Sequence, residues 1–126
     1  MFIEHVNLTV TDLNRSIDFY HRLFGWTVRW RGRTTGGRPA AHVGDDRCYV
    51  ALFEAGEPGR FASDYERVGY NHFGVVVEDL DDMKRRLVEL DAPHGDEMDY
   101  EPGRRVYLRD PDDIEIELVQ YATAAV

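Results

Sequence analysis

The sequence is poor in cysteine, in basic residues and in long apolar runs. Its one cysteine, Cys48, excludes an intrachain disulfide and fits a reducing compartment. Because Cys48 lies in an apolar run, we expect it in the core. No segment approaches the roughly 20 apolar residues that a transmembrane helix needs, and the first residues lack the pattern of a signal peptide. We therefore predict a cytoplasmic protein without a membrane partner.

Basic residues are outnumbered by acidic ones. The chain has 15 lysines and arginines against 24 aspartates and glutamates, which gives a formal net charge of −9 at pH 7. Such a surface repels phosphate backbones, so nucleic acid is not an expected partner, whereas cations are tolerated or attracted. The 126 residues are 43% hydrophobic and 12% aromatic, which is enough for the core of one compact domain.

One unit of sequence occurs twice. The segment Glu4–Gly25 reads EHVNLTVTDLNRSIDFYHRLFG, and the segment Asn71–Ala92 reads NHFGVVVEDLDDMKRRLVELDA. The two segments align when His5 is placed on His72. In both, an alternating apolar run precedes apolar residues at helical spacing, which predicts a strand followed by a helix. We interpret the chain as a duplicated half-fold.

Each copy is predicted to fold as β-α-β-β-β. In the first copy the alternating strand FIEHVNLTV leads to a helix that Thr11 or Asp12 caps and Gly25 stops. The other strands of the first copy are predicted in WTVRW, AAHVG and RCYVALFEA, with RGRTTGGRP as a turn or loop; those of the second are NHFGVVV, the segment Pro93–Met98, RRVYLR and IEIELVQY, with DPDD as the last turn.

These elements give the predicted domain organisation. Module 1 covers about residues 1–55, a linker about 56–70 and module 2 about 71–122, and the tail ATAAV is expected to be loose. One helix can cover only one face of a four-stranded sheet. The predicted fold class is therefore α+β, with two βαβββ modules that form a curved mixed sheet around a cavity.

Two histidines and a glutamate are the candidate metal ligands. If each helix covers the apolar strand face, then His5, His72 and Glu117 point to the opposite, concave face. Two imidazoles and one carboxylate suit one divalent ion, Fe, Mn, Zn or Ni, and leave coordination positions open for a substrate. The alternative is that both histidines are structural and that Glu117, like Glu115, is a solvated surface acid.

Three segments resemble the vicinal oxygen chelate superfamily, which includes glyoxalase I, extradiol dioxygenases, fosfomycin resistance enzymes and bleomycin resistance proteins. They read EHVNLTVTDLNRSIDFYHRLFGW, YNHFGVVVEDLDDM and VYLRDPDDIEIELVQY. The resemblance implies paired βαβββ modules, a homodimer and a small-molecule substrate. It also implies metal ligands on the first and last strands of the modules, where His5, His72 and Glu117 occupy three of the four ligand positions.

The fourth ligand position separates the reaction types of the family. Glyoxalase-like members have a Glu or Gln there, but this chain has Ala51, and the nearest carboxylate, Glu54, is predicted on the opposite strand face. The remaining two-histidine, one-glutamate set resembles the iron site of extradiol dioxygenases. Tyr107 stands ten residues before Glu117, as a tyrosine does in those enzymes, and is the predicted catalytic residue; the alternative is that it is only a strand aromatic that fills the cavity wall. Extradiol-type ring cleavage is the first predicted reaction, although the linker lacks the acid–base histidine of those enzymes.

Two other functions stay open. A glyoxalase-like lyase or isomerase would need Glu54, Tyr107 or a bound water as its base. A bleomycin-resistance-type protein would bind a cationic drug without catalysis, which the negative charge and the aromatic residues permit. The candidate substrate-binding residues are Tyr49, Ala51 and Phe53 on the cavity wall and Arg105 for an anionic group, with His42 and Arg104 as additional candidates.

Overall fold

The computed structural model describes residues 1–122. The chain divides into two compact units, Met1–Gly59 and Arg60–Val126. Each contains one helix and one four-stranded mixed sheet, in the chain order β-α-β-β-β. The predicted α+β fold with a repeated βαβββ unit is confirmed. The end of the predicted loose tail, residues 123–126, lies outside the described residues.

The first unit has the strand order β1-β4-β3-β2. Strand β1 runs parallel to β4, and the other neighbours are antiparallel, so the first and last strands of the unit lie side by side. The elements are β1 (His5–Val10), α1 (Leu13–Phe24), β2 (Thr27–Arg33), β3 (Pro39–Gly44) and β4 (Tyr49–Glu54).

Helix α1 begins and ends where the sequence predicts. The side chain of Asp12 accepts a hydrogen bond from the backbone N–H of Arg15 at 3.1 Å, which satisfies one of the free donors of the first turn. Gly25 follows the last turn with φ of 73°, a left-handed conformation that glycine adopts at little cost. The helix packs against β3 and β4 through its buried residues Leu13, Ser16, Phe19, Tyr20 and Leu23.

The second unit repeats this arrangement with the strand order β5-β8-β7-β6, and β5 is parallel to β8. Asp79 caps the helix by accepting from the N–H of Asp82 at 3.0 Å. No helix in residues 1–122 has the length and apolar character needed to cross a bilayer. The elements are β5 (Phe73–Val76), α2 (Leu80–Glu89), β6 (Met98–Tyr100), β7 (Gly103–Arg109) and β8 (Glu115–Tyr121).

Alternation along the strands gives each sheet two unlike faces. In β1 the side chains of Leu8 and Val10 are buried, whereas that of His5 is exposed. In β8 the side chain of Ile116 is fully buried, whereas that of Glu117 is only partly buried. The face opposite the apolar one, called the open face below, therefore carries the polar candidates in both units.

Two strand predictions need correction. Strand β2 continues through Arg33, so only residues 34–38 form the loop. Its backbone pairs with β3 as far as Pro39, and at the edge of the sheet the polar side chains of this stretch stay in contact with water. Strand β6 begins at Met98, where the prediction had a strand end, because the preceding residues make only one isolated bridge, from His94.

The expected core position of Cys48 is wrong, because this residue is exposed. It ends the turn that precedes β4, and its backbone N–H donates to Oδ1 of Asp45 at 3.0 Å. An aspartate that accepts from the backbone of following residues stabilises a tight turn. The turn therefore moves Cys48 out of the apolar run that begins at Tyr49.

Candidate functional site

The open face of the second sheet carries a cluster centred on Glu117. Its Oε2 accepts a hydrogen bond from Nη1 of Arg105 at 2.6 Å, and its Oε1 accepts one from the hydroxyl of Tyr107. The same Oε1 lies 3.7 Å from Nε2 of His72. The side chains of Arg105 and Glu117 are each only 13% exposed, so their ion pair is weakly screened by solvent.

Strand register brings these residues together. Tyr107 lies directly opposite Glu117 in the β7–β8 pair. The ten-residue spacing in the sequence is therefore the consequence of two antiparallel strands joined by the tight turn at residues 110–114. Across the parallel β5–β8 pair, Gly74 lies opposite Glu117, and His72 stands two residues earlier on the same face.

Within the cluster Tyr107 is a neutral phenol. Its hydrogen bond to Glu117 raises the pKa of Tyr107 well above its usual value, and burial adds to the effect. A neutral phenol can donate its proton to a single acceptor at neutral pH. The guanidinium of Arg105 balances the charge of Glu117, while Arg105 Nε is buried without a hydrogen-bond partner among residues 1–122.

Tyr65, a linker residue, contacts His72. Its hydroxyl donates to Oε1 of Glu115 at 2.5 Å and lies 3.2 Å from Nδ1 of His72. The bond to Glu115 is the main reason that the pKa of Tyr65 is raised to about 12, with burial second. Glu115 is thus part of the site rather than the solvated surface acid considered above. Sequence reasoning missed Tyr65, because an irregular linker has no periodicity that indicates where its side chains point.

In the first unit, His5 lies on the open face as predicted. Its Nδ1 lies 3.0 Å from Oε1 of Glu4, and the hydroxyl of Tyr49 donates to the same oxygen at 3.2 Å. These bonds lower the pKa of Glu4, the contact with His5 most. The ring of Tyr49 stacks on that of His5 with 4.9 Å between centroids.

A row of ring contacts continues across this sheet. Tyr49 stacks on His42 at 4.5 Å between centroids, and His42 contacts Trp30 at 4.8 Å. The guanidinium of Arg29 lies 4.6 Å from the ring centre of Tyr49, within cation–π range. Burial lowers the pKa of His42, which favours the neutral imidazole. The row, His5–Tyr49–His42–Trp30, offers an aromatic surface on the open face.

The sequence matches the model of the Glyoxalase/Bleomycin resistance protein/Dioxygenase superfamily over residues 2–118. The chain belongs to this superfamily. A similar solved structure is the glyoxylase/bleomycin resistance protein/dioxygenase domain from Frankia sp. EAN1pec, with 27% identity and a TM-score of 0.81; the match covers 96% of this chain and 98% of that one.

Fosfomycin resistance proteins have the same fold. A FosX variant from Listeria monocytogenes, complexed with Mn(II) and a dihydroxypropylphosphonic acid, has 19% identity and a TM-score of 0.76, covering 98% of this chain and 93% of that one. FosX from Mesorhizobium loti has 19% identity and a TM-score of 0.73, with 98% and 92% covered. At this identity the likeness establishes the fold and leaves the reaction open.

The structure of the FosX variant contains Mn(II), and part of the donor set in this chain is compatible with a divalent metal. Two atoms bound to one ion at about 2.1 Å each lie at most roughly 4.2 Å apart, so the 3.7 Å between His72 Nε2 and Glu117 Oε1 is compatible with a shared cation. A carboxylate oxygen that accepts one hydrogen bond keeps a second lone pair. His5 belongs to the other unit, so the three-ligand set stays a prediction. Among residues 1–122, no group of three or more His, Cys, Asp or Glu side chains is clustered as a metal site.

The position at which the resemblance predicts a fourth ligand holds no acid. Ala51 is buried, with Asn7 and His42 as its cross-strand neighbours. The carboxylate of Glu54 accepts from the backbone N–H of Leu13 at 3.0 Å, so it serves the start of α1. Glu54 is therefore on the side of the sheet that the helix covers, as predicted. Phe53 is half-buried and shares the open face with Ala51 and Tyr49.

Two cavities adjoin the cluster of the second unit. One, of about 330 Å³, is lined by residues that include Tyr107, His94 and Glu115. The other, of about 390 Å³, is lined by residues that include Arg60, Tyr65 and Glu115. Both volumes are in the range of small-molecule sites. Glu115, which accepts the hydrogen bond from Tyr65, borders both cavities.

Proposed function

We propose that this chain is a small divalent-metal-dependent enzyme of the superfamily, in which His5, His72 and Glu117 hold the ion. The observation that carries the proposal is the approach of His72 Nε2, from the residue just before β5, to Glu117 Oε1 on β8. A FosX relative whose structure contains Mn(II) on the same fold supports it. An imidazole and a carboxylate at this distance match the ligand preference of Fe(II), Mn(II), Zn(II) and Ni(II).

Extradiol-type cleavage of a ring that carries two adjacent hydroxyl groups is the reaction we propose first. Fe(II) in this site would supply binding of both substrate oxygens and activation of dioxygen. The absence of a carboxylate at Ala51 and the engagement of Glu54 with α1 argue against a glyoxalase-like proton transfer, since neither residue can act as the base on the open face.

The remaining residues of the cluster have distinct roles in this proposal. Tyr107 is a neutral phenol at the edge of the carboxylate, so it donates a hydrogen bond to a substrate oxygen when Glu117 turns to the ion. Arg105 keeps the other carboxylate oxygen in place and compensates its charge. Glu115 and Tyr65 fix the imidazole of His72. Substrate would enter from the adjoining cavities.

Metal content tests the proposal directly. Protein purified without a histidine tag is expected to take up close to one equivalent of Fe(II), Mn(II) or Zn(II), measured by elemental analysis after desalting. His5→Ala, His72→Ala and Glu117→Gln are each expected to weaken binding at least tenfold in a calorimetric titration. His21→Ala removes an exposed imidazole on α1 and serves as the control. Equal binding by all four variants and the wild type would overturn the assignment.

Oxygen uptake tests the reaction. Anaerobically iron-loaded protein is expected to consume one O₂ per catechol-type substrate molecule, with a ring-opened product that absorbs in the near ultraviolet. Tyr107→Phe is expected to lower kcat and to leave metal content unchanged, because the phenol does not hold the ion. Oxygen consumption that is the same in Glu117→Gln as in the wild type would indicate free iron and contradict the proposal.

A binding protein without catalysis is the second candidate. It is favoured by one observation, the row of aromatic rings His5–Tyr49–His42–Trp30 on the open face, which suits a planar aromatic ligand. The net charge of −9 suits a cationic one. Tight binding of a cationic glycopeptide drug by metal-free protein, with quenching of tryptophan fluorescence that is lost in Trp30→Ala, would favour this function over the enzyme.

A further inference from the structure

In each unit Nδ1 of the candidate ligand histidine contacts an oxygen that has no proton left to donate to it. In the first unit this oxygen is Oε1 of the Glu4 carboxylate, which lies 3.0 Å from Nδ1 of His5. An ionised carboxylate has no proton to donate. Nδ1 of His5 must therefore be the donor in this bond.

In the second unit Tyr65 and Glu115 together also make Nδ1 of the histidine the hydrogen-bond donor. The hydroxyl of Tyr65 lies 2.5 Å from Oε1 of Glu115 and 3.2 Å from Nδ1 of His72. A phenol has one proton, and the carboxylate of Glu115 can only accept it. The oxygen of Tyr65 therefore has only lone pairs to offer to His72. Nδ1 of His72 must carry the proton of the second bond.

This proton count determines the state of the other ring nitrogen. In a neutral imidazole one nitrogen is protonated and the other has a lone pair. With Nδ1 protonated, Nε2 of His72 presents its lone pair towards Oε1 of Glu117, 3.7 Å away. Two atoms with lone pairs that face each other at this distance are stabilised when a cation or a proton lies between them.

We infer that Glu4 in the first unit, and Tyr65 with Glu115 in the second, are positioning residues that hold His5 and His72 in the Nδ1–H tautomer and leave each Nε2 free to bind a cation. The inference deepens the proposed function and rests on it for the cation. A partner on the second ring nitrogen fixes both the tautomer and the orientation of a metal-binding imidazole. The two units provide it with different residues, an adjacent acid in one and a linker phenol in the other.

Nuclear magnetic resonance tests the tautomers without any metal. Long-range ¹H–¹⁵N correlation of metal-free, ¹⁵N-labelled protein at pH 8.5 distinguishes Nδ1–H from Nε2–H imidazoles, and His5→Gln and His72→Gln assign the signals. Both residues are expected as the Nδ1–H tautomer in the wild type. In Tyr65→Phe, His72 is expected to shift towards the Nε2–H form that free imidazole prefers, while His5 stays unchanged; Glu4→Ala is expected to give the converse. Each variant is thus the control for the other.

Zn(II) affinity supplies a second readout. Loss of a partner of this kind costs roughly 10- to 100-fold in metal affinity, so Tyr65→Phe is expected to raise the Kd for Zn(II) by that factor, and Tyr70→Phe, on a nearby tyrosine, is expected to leave it unchanged. A wild-type Nε2–H tautomer at either histidine, or an unchanged His72 tautomer in Tyr65→Phe, would overturn the inference. The expected tautomers together with no Zn(II) binding by the wild type would support the positioning roles and overturn the proposed metal-dependent function.

Discussion

Glu117 is the residue on which the proposed site depends most. A guanidinium from Arg105 holds one of its oxygens and a phenol from Tyr107 holds the other, and little of the carboxylate is in contact with water. A carboxylate at this burial costs free energy if its charge is not balanced. A metal ion and Arg105 would therefore compensate the same negative charge.

Replacing Arg105 with methionine is expected to show whether a metal ion can compensate the charge of Glu117 in place of the guanidinium. Arg105→Met should lower the free energy of unfolding by about 1–3 kcal/mol, because Glu117 loses a charged hydrogen-bond partner. Urea denaturation followed by tryptophan fluorescence measures the loss. Added Zn(II) should raise Tm more in the variant than in the wild type, since the cation replaces the missing guanidinium.

Arg109→Met provides the matched control for this experiment. Arg109 lies on the same strand and the same face, two positions after Tyr107, but its side chain is exposed. Its loss should change the free energy of unfolding by no more than about 0.5 kcal/mol. Equal destabilisation by the two variants would show that the Arg105–Glu117 ion pair contributes no more to the free energy of unfolding than an exposed arginine does.

At the scale of elements, an ionic network ties α2 to β7. Glu97, just before β6, accepts from Nε of Arg104 at 2.9 Å and from Nζ of Lys84 at 3.2 Å. Arg104 also donates to Asp81 in the first turn of α2 at 2.7 Å. Arg104, the additional candidate for binding an anionic substrate, is therefore engaged in a structural network, whereas Arg105 lies in the candidate site.

Glu97→Gln is expected to destabilise the protein at pH 7. The loss of stability should become smaller as the pH falls. Hydrogen bonds from Arg104 and then Lys84 lower the pKa of Glu97 from 4.5 to about 2. A lowered pKa means that the folded state favours the ionised form, so the stabilisation is fully present above pH 4.5 and is lost as the pH falls towards 2.

The difference in Tm between wild type and variant from pH 7 to pH 3 measures this effect. Glu89→Gln, which removes the same charge at the last residue of α2, is the control and should cost less at pH 7. High salt should also reduce the difference for Glu97, because the network is partly exposed. A difference in Tm that is constant over this pH range would contradict the assignment.

The helix caps are the second prediction at this scale. Asp12 and Asp79 occupy the same place in the two repeats, and each accepts a backbone N–H three residues later. Asp12→Ala and Asp79→Ala should each lower the free energy of unfolding by about 1 kcal/mol, while the asparagine variants should cost much less. Urea denaturation at pH 7 measures both. An alanine variant as stable as its asparagine counterpart would show that the cap contributes nothing.

For the whole molecule, we propose a homodimer. Each sheet has only one helix, and exposed apolar side chains stand on the open faces, among them Trp30 in the first unit and Tyr100 in the second. Burial of such side chains against a second copy would be favourable. Light scattering after size exclusion should give twice the chain mass of 14.6 kDa. The mass of a single chain at all protein concentrations tested would contradict the proposal.

Much of the fold is readable from the sequence because periodicity is a local property. The alternation in β1 and β8 assigns Leu8 and Ile116 to the buried faces and His5 and Glu117 to the open ones, and the structure agrees. Cys48 shows the limit of this reasoning. Its apolar neighbours indicated a strand, but a turn stabilised by Asp45 ends just at that residue.

What the sequence determined by itself is the repeat, the strand and helix order and the faces on which His5, His72 and Glu117 stand, because spacings of 2 and 3.6 residues encode which side chains share a side. Only the tertiary structure decided which groups meet there. Strand register places Tyr107 directly opposite Glu117, and the path of an irregular linker brings Tyr65 into contact with His72. Such contacts depend on how separate segments pair in space, which the spacing of residues along one segment does not contain.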